Sequence, residues 1–343
     1  MHITHFSARA FEREAFAAAN DALDSPHHIT FQETRLDAST AALAEGSPAE
    51  CAIANDPDGA ATIAAHAKVG VKLIALRCAG FNQVDLEAAA EHDIAVARVP
   101  AYSPHAVAEH AVALLMTLVR HTQRAFNRVR EHNFALDGLM GFDLHGKTVG
   151  IIGAGTIGIC FVNIMKGFGC RVLAFDPYPN DDLRATGAKL VDLDTLLAES
   201  DVISLHCPLN PRTHHLIDAD ALAKTKPGLV LINTSRGGVI DTRAVLEALK
   251  ARTLGGLALD VYEEEGDVFY KDLSGQIMQD DVLARLLTFP NVLVTSHQGF
   301  LTREAVTNIA DTTLHNVTTF ERGGQDAIPE ANRVSADQHV AAD

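Results

Sequence analysis

An apolar run, Lys147-Thr-Val-Gly-Ile-Ile152, leads directly into Gly153-Ala-Gly155-Thr-Ile-Gly158. The run reads as a strand and residues 156–168 as a helix, so the glycines fall on a strand–turn–helix junction. The next strand, residues 170–175, ends at Asp176. A G-x-G-x-x-G spacing alone is weak. Set between a strand and a helix, and answered by an acid about 20 residues on, it specifies a dinucleotide-binding βαβ unit. Gly153 permits the tight turn. Gly155, lacking a Cβ, lets backbone approach a pyrophosphate, and Gly158 lets the helix pack close to the strand. The helix start at Thr156 and Ile157 offers free N–H groups and the positive end of the dipole. Asp176 can accept from both hydroxyls of an adenosine ribose and would repel a 2′-phosphate, while Pro177, Tyr178 and Pro179 supply no arginine. The expected cofactor is NAD rather than NADP.

The alternation continues with strands at residues 202–205, 229–233, 257–261 and 292–295 and a helix at 241–252. This is the pattern of a doubly wound parallel sheet. The first hundred residues carry shorter β/α units. Residues 39–45 and 58–69 are helix-prone, and 51–54, 71–76 and 94–99 read as strands, implying a second, smaller parallel sheet. A length of 343 residues suits about two domains. One long helix is expected from Pro104 to about residue 133, with Ser103 as N-cap and Pro104 in the first helical position. It marks the first boundary. Residues 263–289 read as an insertion over the sheet, 301–322 as a helix, and the tail beyond Gly324 as polar and loosely ordered.

Lys and Arg number 28 against 44 Asp and Glu, a net charge of −16. That field repels phosphate backbones, and no Lys/Arg cluster offsets it, so no nucleic-acid partner is expected. The five cysteines, at 51, 78, 160, 170 and 207, are odd in number and include no C-x-x-C pair. They form neither a disulfide framework nor a zinc-finger pattern, and a reduced, cytoplasmic setting fits. The N-terminus lacks a basic region followed by an apolar stretch, and the apolar residues 111–119 are too few to span a bilayer. No membrane partner is expected. His214-His215 tempts a metal reading, but adjacent histidines do not easily face one ion, and no acid or cysteine stands at motif spacing. His105-x-x-x-Glu109-His110 is not a zinc-protease motif, so no metal site is expected.

Ligands of such sheets bind at the C-terminal strand ends. Strand 229–233 runs into Thr234-Ser235-Arg236-Gly237-Gly238. Guanidinium is the natural bidentate partner of a carboxylate, although a surface arginine in a turn gives the same pattern. Strand 257–261 carries Asp260 just inside its end and then Glu263-Glu264-Glu265, which a solvated acidic loop would also explain. Strand 292–295 ends in Ser296-His297-Gln298-Gly299-Phe300. His297 stands out among 17 histidines by that position, as a general acid/base or as a satisfied loop residue. Arginine, acid and histidine at three strand ends of one nucleotide-binding sheet make a coherent site.

At these residues the chain resembles the D-isomer-specific 2-hydroxyacid dehydrogenase family. The likeness runs over nearly the whole chain, apart from the first few tens of residues and the tail. It is carried by Leu76-Arg-Cys-Ala-Gly-Phe-Asn-Gln-Val-Asp-Leu86, Val99-Pro-Ala-Tyr-Ser-Pro104 with Val107-Ala-Glu-His110, the glycine loop and Ala174-Phe-Asp-Pro-Tyr-Pro179. Further matches are Asp201-Val-Ile-Ser-Leu-His-Cys-Pro-Leu209, Asn233-Thr-Ser-Arg-Gly237, Leu259-Asp-Val-Tyr-Glu263 and Thr295-Ser-His-Gln-Gly-Phe-Leu-Thr302. The last block, with the insertion that includes Asp267-Val-Phe-Tyr270 and Gln279-Asp-Asp-Val282, resembles the fermentative D-lactate dehydrogenase branch.

The resemblance implies a catalytic triad. Arg236 binds the substrate carboxylate and polarises the carbonyl, His297 is the acid/base, and Glu265 orients it. The choice of Glu265 over its neighbours rests on this match. Ala79 and Gly80 supply backbone N–H groups to the carboxylate, and Tyr102 and Phe300 line the substrate pocket. Asp260 stands on the nicotinamide side. His206, Cys207 and Pro208 stand at the strand end beside the cofactor, as do Thr234 and Ser235. The implied fold is two Rossmann-like, doubly wound parallel-sheet α/β domains with an interdomain active-site cleft. Residues 1–102 and 300–343 form the substrate domain, and residues 103–299 form the inserted NAD domain. The implied substrate is a small 2-keto or 2-hydroxy acid. Two other readings are a relative acting on a bulkier 2-keto acid and a non-enzymatic NAD-sensing corepressor. A homodimer or homotetramer is expected by the same resemblance.

Overall fold

Strands covered by helices on both faces have no polar side, and the apolar runs of this sequence accordingly fold as inner strands of parallel sheets. The computed structural model describes residues 1–53 and 56–335, without the side chain of Asp267. The chain divides into two units, Met1–Ser103 with Leu301–Asp343, and Pro104–Phe300.

The first unit contains β1 (His2–His5), α1 (Ala10–Asp21), β2 (His28–Phe31), β3 (Ala49–Cys51), α2 (Ala60–Val69), β4 (Leu73–Ala75), α3 (Leu86–Glu91) and β5 (Ala95–Ala97). It is completed by α12 (Arg303–Gly323) and β13 (Arg333–Val334). The sheet order is β13-β5-β4-β3-β1-β2, parallel throughout except for the antiparallel edge strand β13. Phe6, Leu36, Ile63, Ile74, Leu76 and Val96 fill its core. The expected strand at 51–54 ends by Cys51, and its last residue, Ala54, lies outside the described residues. The expected helix at 39–45 is instead a turn and a short 3-10 helix, Ala41–Ala44. The Asp37 carboxylate accepts from the N–H groups of Ser39 (2.7 Å) and Thr40 (3.1 Å), a turn that competes with helix.

The tail is better anchored than its polarity suggested. Arg98 N–H donates to the Asn332 carbonyl, Asn332 Nδ2 donates to Asn316 Oδ1 at 2.7 Å, and Asn316 Nδ2 donates to the Arg98 carbonyl at 3.0 Å. These bonds tie residues 332–334 to α12 and β5. The end of the tail, residues 336–343, lies outside the described residues.

The second unit contains α4 (Pro104–Arg120), α5 (Thr122–Arg130), β6 (Thr148–Ile152), α6 (Thr156–Gly167), β7 (Arg171–Phe175), α7 (Asp181–Thr186), β8 (Lys189–Leu190) and α8 (Leu193–Glu199). There follow β9 (Val202–Leu205), α9 (Ala219–Ala223), β10 (Leu229–Asn233), α10 (Thr242–Lys250), β11 (Leu254–Leu259), α11 (Asp281–Leu286) and β12 (Val292–Val294). The seven strands run parallel in the order β12-β11-β10-β9-β6-β7-β8. Side-chain alternation sends Val149 and Ile151 of β6 to a core shared with Leu115, Phe161 and Met165. It sends Ile152 to the opposite core, with Leu196, Val245 and Leu286. The sheet is therefore doubly wound.

One expectation changes here. The single long helix breaks at His121, whose φ of 52° puts it in the left-handed region between α4 and α5. The segment read as an insertion is packed: Tyr262, Phe269 and Leu283 form a small core, and the Tyr262 hydroxyl donates to Asp280 at 2.6 Å. Among the described residues no helix is long and apolar enough to cross a membrane.

Candidate active site

In the seven-stranded sheet the chain leaves β6 on one side for β7 and on the other reaches β9, the switch point at which such folds bind ligands. The glycine loop lies at that point. Gly153 has φ of 87°, and a Cβ there would overlap the backbone of Cys207. A Cβ at Gly158 would overlap the Gly153 carbonyl. At Gly155 a Cβ would project into open space, and this residue caps α6 with no side chain on the helix N–H groups. Asp176 accepts from Ala154 N–H at 2.7 Å and Tyr178 N–H at 2.8 Å, which fixes its carboxylate beside the loop.

At the ends of the neighbouring strands β9 and β10, the buried Nδ1 of His206 and the buried Oγ1 of Thr234 have no partner among the described residues. Burial pushes the His206 pKa down to about 4, so its ring is neutral, and Ser204 Oγ lies 2.9 Å from Nε2. Cys207 is pushed up to about 11 by burial and stays a thiol. An open helix N-terminus, an aimed carboxylate and two orphaned polar atoms fit a dinucleotide.

Beyond β10 a buried amide shapes the arginine loop. Asn233 Oδ1 accepts from Ser235 N–H (3.0 Å) and Ser235 Oγ (2.8 Å), and its Nδ2 donates to the Arg236 carbonyl at 2.8 Å. Arg236 Nη1 donates to the Ser235 carbonyl at 2.8 Å. The backbone of Gly237 lies so close to Tyr262 and Glu263 that any Cβ would overlap it. Tyr262 N–H in turn donates to Glu265 Oε2 at 3.1 Å, and Glu265 Oε1 lies 2.8 Å from His297 Nδ1. Glu265 and His297 are thus joined directly, and Arg236 is tied to them through backbone. The side chains of His297 and Glu265 remain 18% and 16% exposed, enough to meet a substrate. Glu263 is occupied elsewhere, by His215 Nε2 (2.6 Å) and Thr242 Oγ1 (2.9 Å). Of these two glutamates, Glu265 is the one in contact with His297.

His297 has φ of 49°, a left-handed conformation held by bonds to both its N–H and its carbonyl. The His297 N–H donates to the Asp260 carbonyl at 2.7 Å, and the His297 carbonyl accepts from the Tyr270 hydroxyl at 2.9 Å. Asp260, expected inside β11, is the first residue beyond it. Its Oδ1 accepts from His110 Nε2, Thr295 Oγ1 and Gln298 N–H, and its Oδ2 from Gly299 N–H. Burial opposes ionisation of Asp260, but the bonds from His110, Thr295 and Gln298 outweigh it and hold the acid below the usual carboxylate range. Sequence reasoning missed His110 and Asn233 as parts of this arrangement. Both stand in the quoted motifs, but neither spacing shows which side chain they reach.

In the first unit, the Ala79–Gly80 turn is held from its carbonyl side. Arg98 Nη1 donates to the Ala79 carbonyl and Cys78 Sγ to the Gly80 carbonyl, each at 3.1 Å. Tyr102 accepts from Asn308 Nδ2 at 2.7 Å through its carbonyl. Phe300 closes the second unit and Pro208 follows Cys207 after β9. The argument against an acidic ligand for His214-His215 is corrected here. Glu263, distant in sequence, brings a carboxylate oxygen within 4.8 Å of both imidazoles. Glu263 Oε1 lies 2.6 Å from His215 Nε2.

A family model described as the NAD binding domain of D-isomer specific 2-hydroxyacid dehydrogenase matches residues 112–299. Over 323 residues, 94% of this chain and 98% of the relative, the sequence is 47% identical to the D-lactate dehydrogenase of Escherichia coli K12. The chain belongs to the D-isomer-specific 2-hydroxyacid dehydrogenases. This dehydrogenase is also 50% identical to 2-hydroxyacid dehydrogenase homolog 1 of Schizosaccharomyces pombe, over 95% of this chain and 98% of the relative. The apo-structure of the Escherichia coli D-lactate dehydrogenase superimposes with a TM-score of 0.88 at 45% identity, covering 97% of this chain and all of that one. As a D-2-hydroxyacid dehydrogenase the protein is an NAD-dependent oxidoreductase, and Pro104–Phe300 contains its nucleotide-binding sheet.

Proposed function

We propose that this dehydrogenase interconverts pyruvate and D-lactate. The 2.8 Å pair of Glu265 and His297 carries the chemistry of that reading. The likeness to the Escherichia coli D-lactate dehydrogenase supports the substrate and the configuration.

Gly155 leaves room for a pyrophosphate, Gly153 and Gly158 shape the turn and packing that present it, the N–H groups at Thr156 and Ile157 would hold the phosphates, and Asp176 would hold the adenosine ribose. His206, Cys207, Pro208, Thr234, Ser235 and Asp260 belong to the nicotinamide side. When bound, NADH supplies the hydride. Arg236 pairs with the substrate carboxylate and donates toward the carbonyl oxygen, stabilising the charge that develops there. The N–H groups of Ala79 and Gly80 hold the same carboxylate, and Tyr102 and Phe300 bound the space for the methyl group. Glu265 fixes His297 through Nδ1, leaving Nε2 to give a proton to the carbonyl oxygen in reduction and to remove it in oxidation. Residues 1–102 with 300–343 act as the substrate domain, and 103–299 as the NAD domain.

Self-association as a homodimer or homotetramer completes the reading. Phe134, Leu136 and Met140, after α5, are 70%, 82% and 92% exposed, and Phe126 and Val129 on α5 add to this apolar surface. Light scattering on the purified protein reads the mass. A cytoplasmic location accompanies this proposal.

The deciding experiment follows NADH oxidation with pyruvate, phenylpyruvate and 2-ketoisocaproate, repeats it with NADPH, and determines the configuration of the product. Pyruvate with NADH is expected to turn over fastest, yielding the D isomer. Preference for a bulky keto acid would overturn the substrate assignment. Unimpaired turnover by a His297→Asn variant would overturn the acid/base role.

A further inference from the structure

The interior of the first unit holds charges that the dehydrogenase reaction does not use. Glu50 lies on β3, Asp58 just before α2 and His66 on α2, and none of the three has measurable exposure. Among the described residues both ring nitrogens of His66 lack a hydrogen-bond partner, and no N–H or hydroxyl reaches the carboxylates of Glu50 or Asp58, which have only each other to share a proton with. The nearby cation is directed mainly elsewhere: Arg77 Nη1 is paired with Glu12 and Nη2 donates to the Phe6 carbonyl at 2.6 Å, so its charge offsets Glu50 only in part. Asp56 is satisfied by Ser7 Oγ at 2.7 Å and Ile53 N–H at 3.1 Å, and adds its own negative field. Two carboxylates so weakly balanced by positive charge are costly in a buried site. Burial first, then the negative charges of Asp58 and Asp56, pushes Glu50 well above the usual carboxylate range, and burial with the charge of Asp56 pushes Asp58 to about 7.

The spacing points to a ligand. One oxygen of Glu50, one of Asp58 and one nitrogen of His66 all lie within 4.8 Å of one another. His66 Nδ1 and Asp58 Oδ1 are 3.8 Å apart, too far for a hydrogen bond. That separation suits two ligands of one ion with bonds of about 2.1 Å. We propose that Glu50, Asp58 and His66 bind one divalent transition-metal ion of the zinc type, which clamps β3 to α2 inside the first unit. An imidazole in the set disfavours calcium and magnesium, and the spare oxygen on each carboxylate can raise the coordination number above three. The ion's two positive charges balance the two carboxylates, so the site is neutral when filled. Its role is structural and lies outside the catalytic machinery.

Cobalt(II) and zinc(II) serve as probes on the full chain after chelation and buffer exchange. His214→Ala with His215→Ala removes the surface cluster, the other group of ligand atoms close enough to compete among the described residues. In that double variant cobalt(II) is expected to bind in one equivalent with visible ligand-field absorption. Zinc(II) at about a hundred times its Kd is expected to raise the Tm by about 5 °C. Adding Glu50→Gln should abolish both effects while far-ultraviolet circular dichroism stays unchanged. Should that variant not fold, the titration of the double variant decides alone. Absence of a bound equivalent there would overturn the site, leaving a proton shared by Glu50 and Asp58. Binding that survives in a folded Glu50→Gln protein would overturn it as well.

Discussion

His110 Nε2, on α4, lies 3.1 Å from Asp260 Oδ1, at the end of β11. The ring donates into a carboxylate that also takes the N–H groups of Gln298 and Gly299, so a helix residue steadies the loop carrying His297. Removing one donor from a buried, ionised acid costs about 2 kcal/mol. His110→Ala should lower kcat about tenfold while the Kd for NADH changes less than twofold. Titration of NADH fluorescence beside steady-state kinetics checks the split. A fall in Tm with kcat unchanged would reduce His110 to a packing role.

Gly237 makes a second test of how the site is joined. Any Cβ there falls on the backbone of Tyr262 and Glu263, which has no flexible end to give way. Gly237→Ala must separate the Arg236 loop from the loop that carries Glu265. A misplacement of about 1 Å costs on the order of a hundredfold in rate. A loss of kcat/KM of about that size is expected, with far-ultraviolet circular dichroism unchanged. Activity near the wild-type level would show that the two loops move independently.

The nucleotide-binding half was legible because its signals are local. Strands β9 and β10 are unbroken apolar runs, and the glycines and Asp176 occur at fixed offsets. The start of the chain carried no such signal. β1 holds His2, Thr4 and His5 around one isoleucine, yet it pairs with both β2 and β3. Its burial comes from neighbours distant in sequence, as do the Glu263–His215 and His110–Asp260 contacts. The strand ends identified Arg236 and His297 as candidates, but spacing could not show which of three adjacent glutamates would lie against His297, a contact that Glu265 makes at 2.8 Å. The break at His121 was hidden because helix periodicity continues on both sides of it.

That break has a stability consequence. His121 adopts φ of 52°, and its buried Nδ1 has no partner among the described residues. A left-handed conformation costs a side-chain-bearing residue about 1 kcal/mol, a penalty glycine escapes. His121→Gly is therefore expected to stabilise the protein by up to about 1 kcal/mol, measured by urea unfolding. Destabilisation would mean that the ring's packing outweighs the backbone strain.

His5 gives the stability a pH-dependent component. Its ring is buried between Phe16, at a centroid distance of 4.7 Å, and Phe31, at 5.0 Å. Burial first, then the charge of Arg77, holds its pKa well below 6.5 in the folded protein. In the unfolded chain it titrates near 6.5. As pH falls below about 6.5 the unfolded state binds a proton that the folded state refuses, so this residue's contribution to stability declines. His206, depressed to about 4, acts in the same direction. Glu50 and Asp58, raised by burial, act in the opposite one, so the informative quantity is a difference between two proteins. The stability of His5→Phe relative to wild type should rise steadily between pH 7 and pH 5. A difference that stays flat over that range would show that His5 accepts its proton inside the fold.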